Sequence, residues 1–179
     1  MNSQASKKLL IKNCESPLGL VLEGPIDENF DGAGFIKHLE ALQQKTQKRV
    51  RIDLSGVVKV NSVGIERWFR TNHNSEIPIL LMKVPLILID QFNFWGRFFE
   101  INDVLVESFE SPFFDPESEE VHSRFLVVGK DIPLLPNYEH YEAKCSLPNG
   151  KILEPDFDPE VYFFFLTFVW RRLGGAPPT

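Results

Sequence analysis

Residues 77–84, IPILLMKV, form a continuous apolar run of strand length. In water such a run is stable only as a strand covered by other elements, so the chain needs a layered α/β core built around it. The flanking sequence supplies the layers. LLIKNC and GLVLEG read as two short strands, joined through Ser16, Pro17 and Gly19, residue types that favour tight turns. Gly24-Pro25 and Ile26-Asp27 then end the second strand. A helix is expected over residues 32–47, with Phe35, Ile36, Leu39 and Leu42 on one face and Lys37, Glu40 and Gln44 on the other. RVRIDLSG alternates Val50, Ile52 and Leu54 against Arg51 and Asp53, the period of a strand.

VVKVNSVG leads into a second helix whose buried stripe is Ile65, Trp68 and Phe69, with Glu66 and Arg70 four apart on its outer side. Pro78 stands near the start of the 77–84 run, where a missing N–H is tolerated. Pro85 opens a third helix carrying Leu86, Ile89, Phe92 and Phe94, and Gly96 stops it. DVLVESF is the last strand of this part. The order β-β-α-β-α-β-α-β predicts an α/β fold: an opening hairpin, then a mixed sheet with parallel central pairings and helices packed mainly on one face.

RIDLSGVVKVNSVGIERWF, followed by IPILLMKVPLILIDQFNFWGRFFEINDVLVES, resembles a STAS domain, the fold of bacterial anti-sigma-factor antagonists. In that family a strand ending in "D-L-S-G" runs through a short loop to "D-S-S-G" at the first turn of a helix. GPIDE resembles the "G-x-I-D" that closes the family's second strand. The resemblance covers roughly residues 8–110. It implies a non-enzymatic signalling protein that binds a serine kinase, itself an anti-sigma-type regulator. By position Ser62 is the hydroxyl that the kinase phosphorylates, and the phosphate ends the binding. The implied docking surface is Lys59, Asn61, Ser62, Val63, Gly64, Glu66, Arg67 and Arg70.

The chemistry of such a site is sound on its own terms. A serine at a helix start is exposed and caps orphan N–H groups. A phosphate there gains from the helix dipole but places about 1.5–2 negative charges on a contact surface. Two positions depart from the family: Asn61 stands where it has aspartate, and Val63 replaces its second small residue. Glu66 also lies one turn away. A STAS scaffold or structural subunit that keeps the surface without the switch is therefore the alternative reading.

Charge and aromatic content shift near residue 100. Residues 1–100 carry a net +2 and residues 101–179 a net −8, and 13 of the 16 phenylalanines follow residue 90. These shifts predict two units: a STAS-like domain over 1–110 and a small aromatic-rich α+β unit over 111–179. The acidic total argues against a nucleic-acid binder, which needs a clustered basic face. SPFFDPESEE reads as an exposed acidic linker, with Glu107, Glu110, Asp115, Glu117, Glu119 and Glu120 as a solvated face. RFLVV reads as a strand, and DIPLLPNYEHYEAK as extended or turn structure. Asn149-Gly150 marks a hairpin between CSLP and KIL.

Asp158 as N-cap and Pro159 at the first helical position start a terminal helix that ends at Gly174-Gly175. Residues 161–170 are apolar all round and must be buried. Either they close the sheet's open face or an adjoining edge, or Tyr162, Phe164, Phe168 and Trp170 build a homodimer. The chain is thus expected to be a monomer or a homodimer. The tail also resembles a small zinc-ribbon appendage, but Cys145, His140 and His122 fall short of the four ligands a zinc site needs, so no metal is expected. His38, His73, His122 and His140 show no metal spacing, and neither cysteine sits in a nucleophile motif. No enzyme activity and no cofactor are expected. Two cysteines 131 residues apart suit a reducing compartment. With no apolar run near the ~20 residues of a membrane span and no signal-peptide pattern, the expected location is the cytoplasm, without membrane insertion.

Overall fold

The computed structural model describes residues 8–15, 18–46 and 48–175. Ser16, Pro17 and Gln47, on which part of the expected first turn and the end of the first helix rest, lie outside the described residues.

The chain forms a mixed α/β fold. A five-stranded sheet is ordered β1-β2-β3-β4-β5, with β1 (Leu10–Glu15), β2 (Leu18–Ile26), β3 (Val50–Val60), β4 (Ile79–Met82) and β5 (Val104–Val106). The β1–β2 pair is antiparallel and the others are parallel. β2 ends at Ile26, where Gly24-Pro25 and Ile26-Asp27 are expected to end it. Register shifts at Val21/Glu23 and Gly24/Pro25 absorb the proline, and Gly24 takes a φ of 112° there.

Each crossover moves one strand along in the same direction. Right-handed connections therefore place α1 (Gly32–Thr46), α2 (Ser62–Ser75) and α3 (Leu86–Phe94) over one face. Leu20, Leu22, Ile52, Leu54, Ile79 and Leu81 are buried beneath them. α1 starts as a capped helix: Asp31 Oδ1 accepts from the Gly34 N–H at 3.0 Å. Pro85 is the N-cap of α3 rather than a residue of its first turn, and Gly96 does not end the helical region. A short α4 (Arg97–Ile101) follows at once, which the sequence pattern did not anticipate.

The second half also differs from expectation. The segment 111–120 is not a linker: residues 111–115 belong to strand β6 (Ser108–Asp115), which pairs antiparallel with β7 (Glu120–Val127). β6 also pairs with β9 (Ile152–Pro155), and β9 with β8 (Cys145–Ser146), giving a second sheet ordered β7-β6-β9-β8. The reason is visible in the side chains: Phe109 and Phe113 are fully buried, and Asp115 at the strand's end is tied down. Lys151 Nζ lies 2.7 Å from Asp115 Oδ2, and Asp115 accepts from the Glu117 N–H and the Ser118 hydroxyl. The Lys151 ammonium, with these further donors, holds the Asp115 carboxyl well below the usual carboxylate range. Glu107 pairs with Arg51 at 2.8 Å, and Glu110 accepts from the Leu86 N–H at 3.0 Å. Three of the six acidic residues read as a solvated face are thus structural.

β6 crosses residue 110 and joins the two sheets. Val84 donates its N–H to Ser108 at 3.0 Å and accepts from Glu110 at 2.8 Å. The buried residues of both sheets belong to one hydrophobic cluster.

The terminal helix starts as expected, with Asp158 Oδ1 accepting from the Glu160 N–H at 3.0 Å. It breaks at Phe163 into α5 (Pro159–Tyr162) and α6 (Phe164–Arg172). Asn93 spans the break, donating to the Tyr162 carbonyl at 3.2 Å and accepting from the Phe165 N–H at 2.9 Å. α6 does not close the open face of the sheet; it packs at the adjoining edge, against α3, α4 and β5. Phe165 meets Phe92 and Phe109 edge-on, and Phe163 meets Phe109 and Tyr138. The open face carries ion pairs instead: Arg51–Glu107, Lys12–Glu23, and Lys83–Asp53 at 2.7 Å. Burial works against ionisation of Asp53, yet Lys83 and Ser55 together hold its carboxyl below the ordinary value.

Two outcomes are expected from this architecture. A Cβ on Gly96 would lie 2.3 Å from the Phe168 ring, so Gly96→Ala is expected to lose about 1–3 kcal/mol by chemical denaturation, the usual cost of overpacking. Asp115 is stabilising where it is ionised in both states, above the unfolded carboxylate value of about 3.9, and that contribution fades as pH falls toward its lower folded value. Lys151→Met is expected to lower the melting temperature at pH 7 and to flatten the acid limb of a stability–pH curve.

Candidate functional site

The turn from β3 into α2 is built from the backbone upward. Asn61 has extended geometry (φ −132°, ψ 166°), and its Oδ1 accepts from the Gly64 N–H at 2.8 Å. Asn61, not Ser62, is therefore the helix cap. A side-chain oxygen one residue before the helix reaches the third helical N–H, whereas Ser62 is already inside the first turn. The other end of the Asn61 amide donates to Glu28 Oε2 at 2.6 Å, which ties α2 to the β2–α1 loop. Arg67 makes a second tie by donating to the Glu28 carbonyl. The loop itself is held by Asp27, which accepts from the Asn29 N–H at 2.9 Å.

Gly64 sets how closely α2 approaches β2. A Cβ there would fall 2.4 Å from the Ile26 carbonyl oxygen and 2.5 Å from the Asp27 backbone, so only glycine fits.

These contacts fix where the expected site residues stand. Lys59, Ser62, Val63, Glu66, Arg67 and Arg70 are exposed, Asn61 is half-buried, and Gly64 is buried. Ser62 Oγ has no hydrogen-bond partner among the described residues. Glu66 and Arg70 pair one turn apart on the outer side of α2, as their spacing predicts. The aromatic tail lies elsewhere, against α3 and α4, and leaves the turn open.

Further along the same helix the outer face borders a groove of about 600 Å³. Its walls are the second half of α2, the α3–α4 corner and the start of α6. Phe69, Phe98 and Phe168 are buried in its floor, and Phe94, Ile101 and Phe164 stand exposed at its mouth. His73 Nδ1 lies 2.7 Å from Asn102 Oδ1 at one end. Glu66 and Arg70 belong to both the turn's surface and the groove's rim. Sequence reasoning missed the groove because it grouped Phe94 with Leu86, Ile89 and Phe92 as one apolar surface of α3; Ile89 and Phe92 are buried, whereas Phe94 is 80% exposed. The signal that pointed to it was Trp95-Gly96-Arg97, a break followed by a second apolar turn.

The tail's histidines and cysteine do not gather. His140 is exposed on a turn, His122 lies on β7 and Cys145 on β8. Among the described residues no three His, Cys, Asp or Glu side chains converge as metal ligands. Among the same residues no helix is long and apolar enough to cross a membrane. Comparison with family models, curated proteins and solved structures gave no match to this chain.

Asn61→Ala removes the cap and is expected to cost about 1 kcal/mol in urea denaturation. Gly64→Ala forces backbone against backbone and is expected to cost more, about 1–3 kcal/mol, with the same measurement ranking the two.

Proposed function

We propose that this chain is a non-enzymatic, cytoplasmic bacterial signalling protein. In this reading it binds a serine kinase or related anti-sigma-type regulator through the Ser62 turn and the outer face of α2. The observation that carries the proposal is the state of Ser62: an exposed hydroxyl, without a hydrogen-bond partner among the described residues, in the first turn of a helix locked by Asn61 and Gly64. A rigid turn presents the hydroxyl in one geometry to a partner's active site. Phosphate added there is favoured by the helix dipole and expels a closely packed partner by bulk and charge. Lys59, Val63 and Arg67 are exposed on the same stretch of chain and add basic and apolar groups to the surface it offers a protein partner.

A second reading, a scaffold without the switch, is favoured by Glu28. Its carboxylate is held on Asn61, and Glu66 lies one turn along, so the surroundings of Ser62 are partly anionic. An aspartate at 61 would set two carboxylates against each other, which gives a local reason for asparagine there.

The test is phosphopeptide mass spectrometry on the chain isolated from its own cells, together with affinity measurements on the partner that co-purifies. Phosphate is expected on Ser62 and absent from Ser62→Ala, and Ser62→Asp is expected to weaken partner binding at least tenfold. Unmodified Ser62, with equal partner affinity in the Asp and Ala variants, overturns the switch in favour of the scaffold.

A further inference from the structure

The groove beside α2 has a composition that the Ser62 turn does not explain. Its floor is aromatic, the usual character of a binding site, and its volume lies within the range of ligand pockets. Its mouth decides what kind of occupant fits. Phe94 is 80% exposed, Ile101 61% and Phe164 45%. A small molecule seated on the floor leaves these three side chains in water. A helix, about 10–12 Å across with its side chains, covers floor and mouth together.

Charge selects the helix. Glu66 is the one carboxylate among the groove's lining residues, and Arg70 already pairs with it. Arg97 at the rim and Arg171, whose guanidinium sits 5.1 Å from the centre of the Phe168 ring, have no carboxylate partner among the described residues. A chain of net charge −6 thus places unpaired positive charge beside this apolar groove.

We propose that this groove, lined by Phe69, Trp95, Arg97 and Phe168 and flanked by Arg171 on the Phe168 ring, receives one acidic amphipathic helix of a protein partner. The partner helix sets apolar side chains at i, i+4 and i+7 onto the aromatic floor, and its flanking carboxylates meet Arg97 and Arg171. This deepens the docking function proposed above and rests on it, since Glu66 and Arg70 connect the groove to the Ser62 surface.

The test uses the full chain and two synthetic helical peptides of about 18 residues. One carries Leu and Phe at i, i+4, i+7 with Glu on its remaining faces; the other is identical with Lys replacing Glu. Binding is followed by amide and indole chemical-shift changes. The acidic peptide is expected to bind with a Kd on the order of 10–100 μM, with shifts centred on Phe94, Trp95 and Ile101. The basic twin is expected to bind at least tenfold more weakly, and the double variant Arg97→Glu, Arg171→Glu to reverse that preference. Equal binding of the twins, shifts centred elsewhere, or no binding of the acidic peptide overturns the proposal. Sodium decanoate occupying the groove where the acidic peptide does not also overturns it, in favour of a small-ligand pocket. Ser62→Asp separates the two readings: the acidic peptide still binds that variant if the groove acts as proposed, whether or not the phosphate switch exists.

Discussion

A sheet whose strands follow one another in spatial order can be covered by its own connections on one side only. Each right-handed crossover from β2 to β5 steps the same way, so every connecting helix lands on the same face. The chain answers the problem of the other face chemically. Arg51, Asp53, Lys83 and Glu107 pair across it, and these side chains stay partly solvated. Surface pairs of this kind contribute little stability, roughly 0–1 kcal/mol each. Their consequence is that no apolar layer is required there. The aromatic tail is therefore free to dock at the edge of the sheet, and the position of every later element follows from that.

At the edge, the tail must bury its phenylalanines against something apolar and already ordered. Phe109 of β6 supplies the meeting point, touching Phe163, Phe165 and Tyr162. The helix cannot run straight past this point. Tyr162 turns inward to donate to the Glu110 carbonyl at 2.6 Å, and the backbone breaks at Phe163, where Asn93 takes up the freed polar groups. Burial strongly disfavours ionisation of the Tyr162 phenol, which keeps it a neutral donor. α6 then reaches α4, where Gly96 lets the Phe168 ring lie against the backbone. The groove is the space left between α2 and the three helices, α3, α4 and α6, that meet at this corner.

The first half was legible in the sequence because its signals are local. Val50, Ile52 and Leu54 alternate at strand period, and Phe35, Leu39 and Leu42 recur at helix period; in the second half the one equally local signal, Asp158-Pro159-Glu160, starts its helix through the nearest backbone groups. The acidic segment misled because composition carries no information about partners. Asp115 looks solvated until Lys151, 36 residues later, is brought to it by the β8–β9 hairpin. The cap of α2 was displaced by one residue for a similar reason. Asn61 and Ser62 both favour capping positions, and it is Glu28, distant in sequence, that holds the Asn61 amide in place. The groove was illegible altogether, since it is made from α2, α3, α4 and α6, and no single segment carries its pattern.

The turn and the groove share one helix, but charge alone cannot link them. From Ser62 to His73 the axis rises about 16 Å, whereas screening at physiological salt has a length near 8 Å. A phosphate on Ser62 is therefore nearly invisible at the far end of the groove. It acts on a partner only by touching it, through bulk and short-range repulsion at the turn. A partner seated in the groove alone is indifferent to the modification, and one that touches the turn alone gains nothing from Phe94 or Arg97. Both features bear on a single binding event only for a protein long enough to follow the outer face of α2 from Ser62, past Glu66 and Arg70, to the aromatic corner.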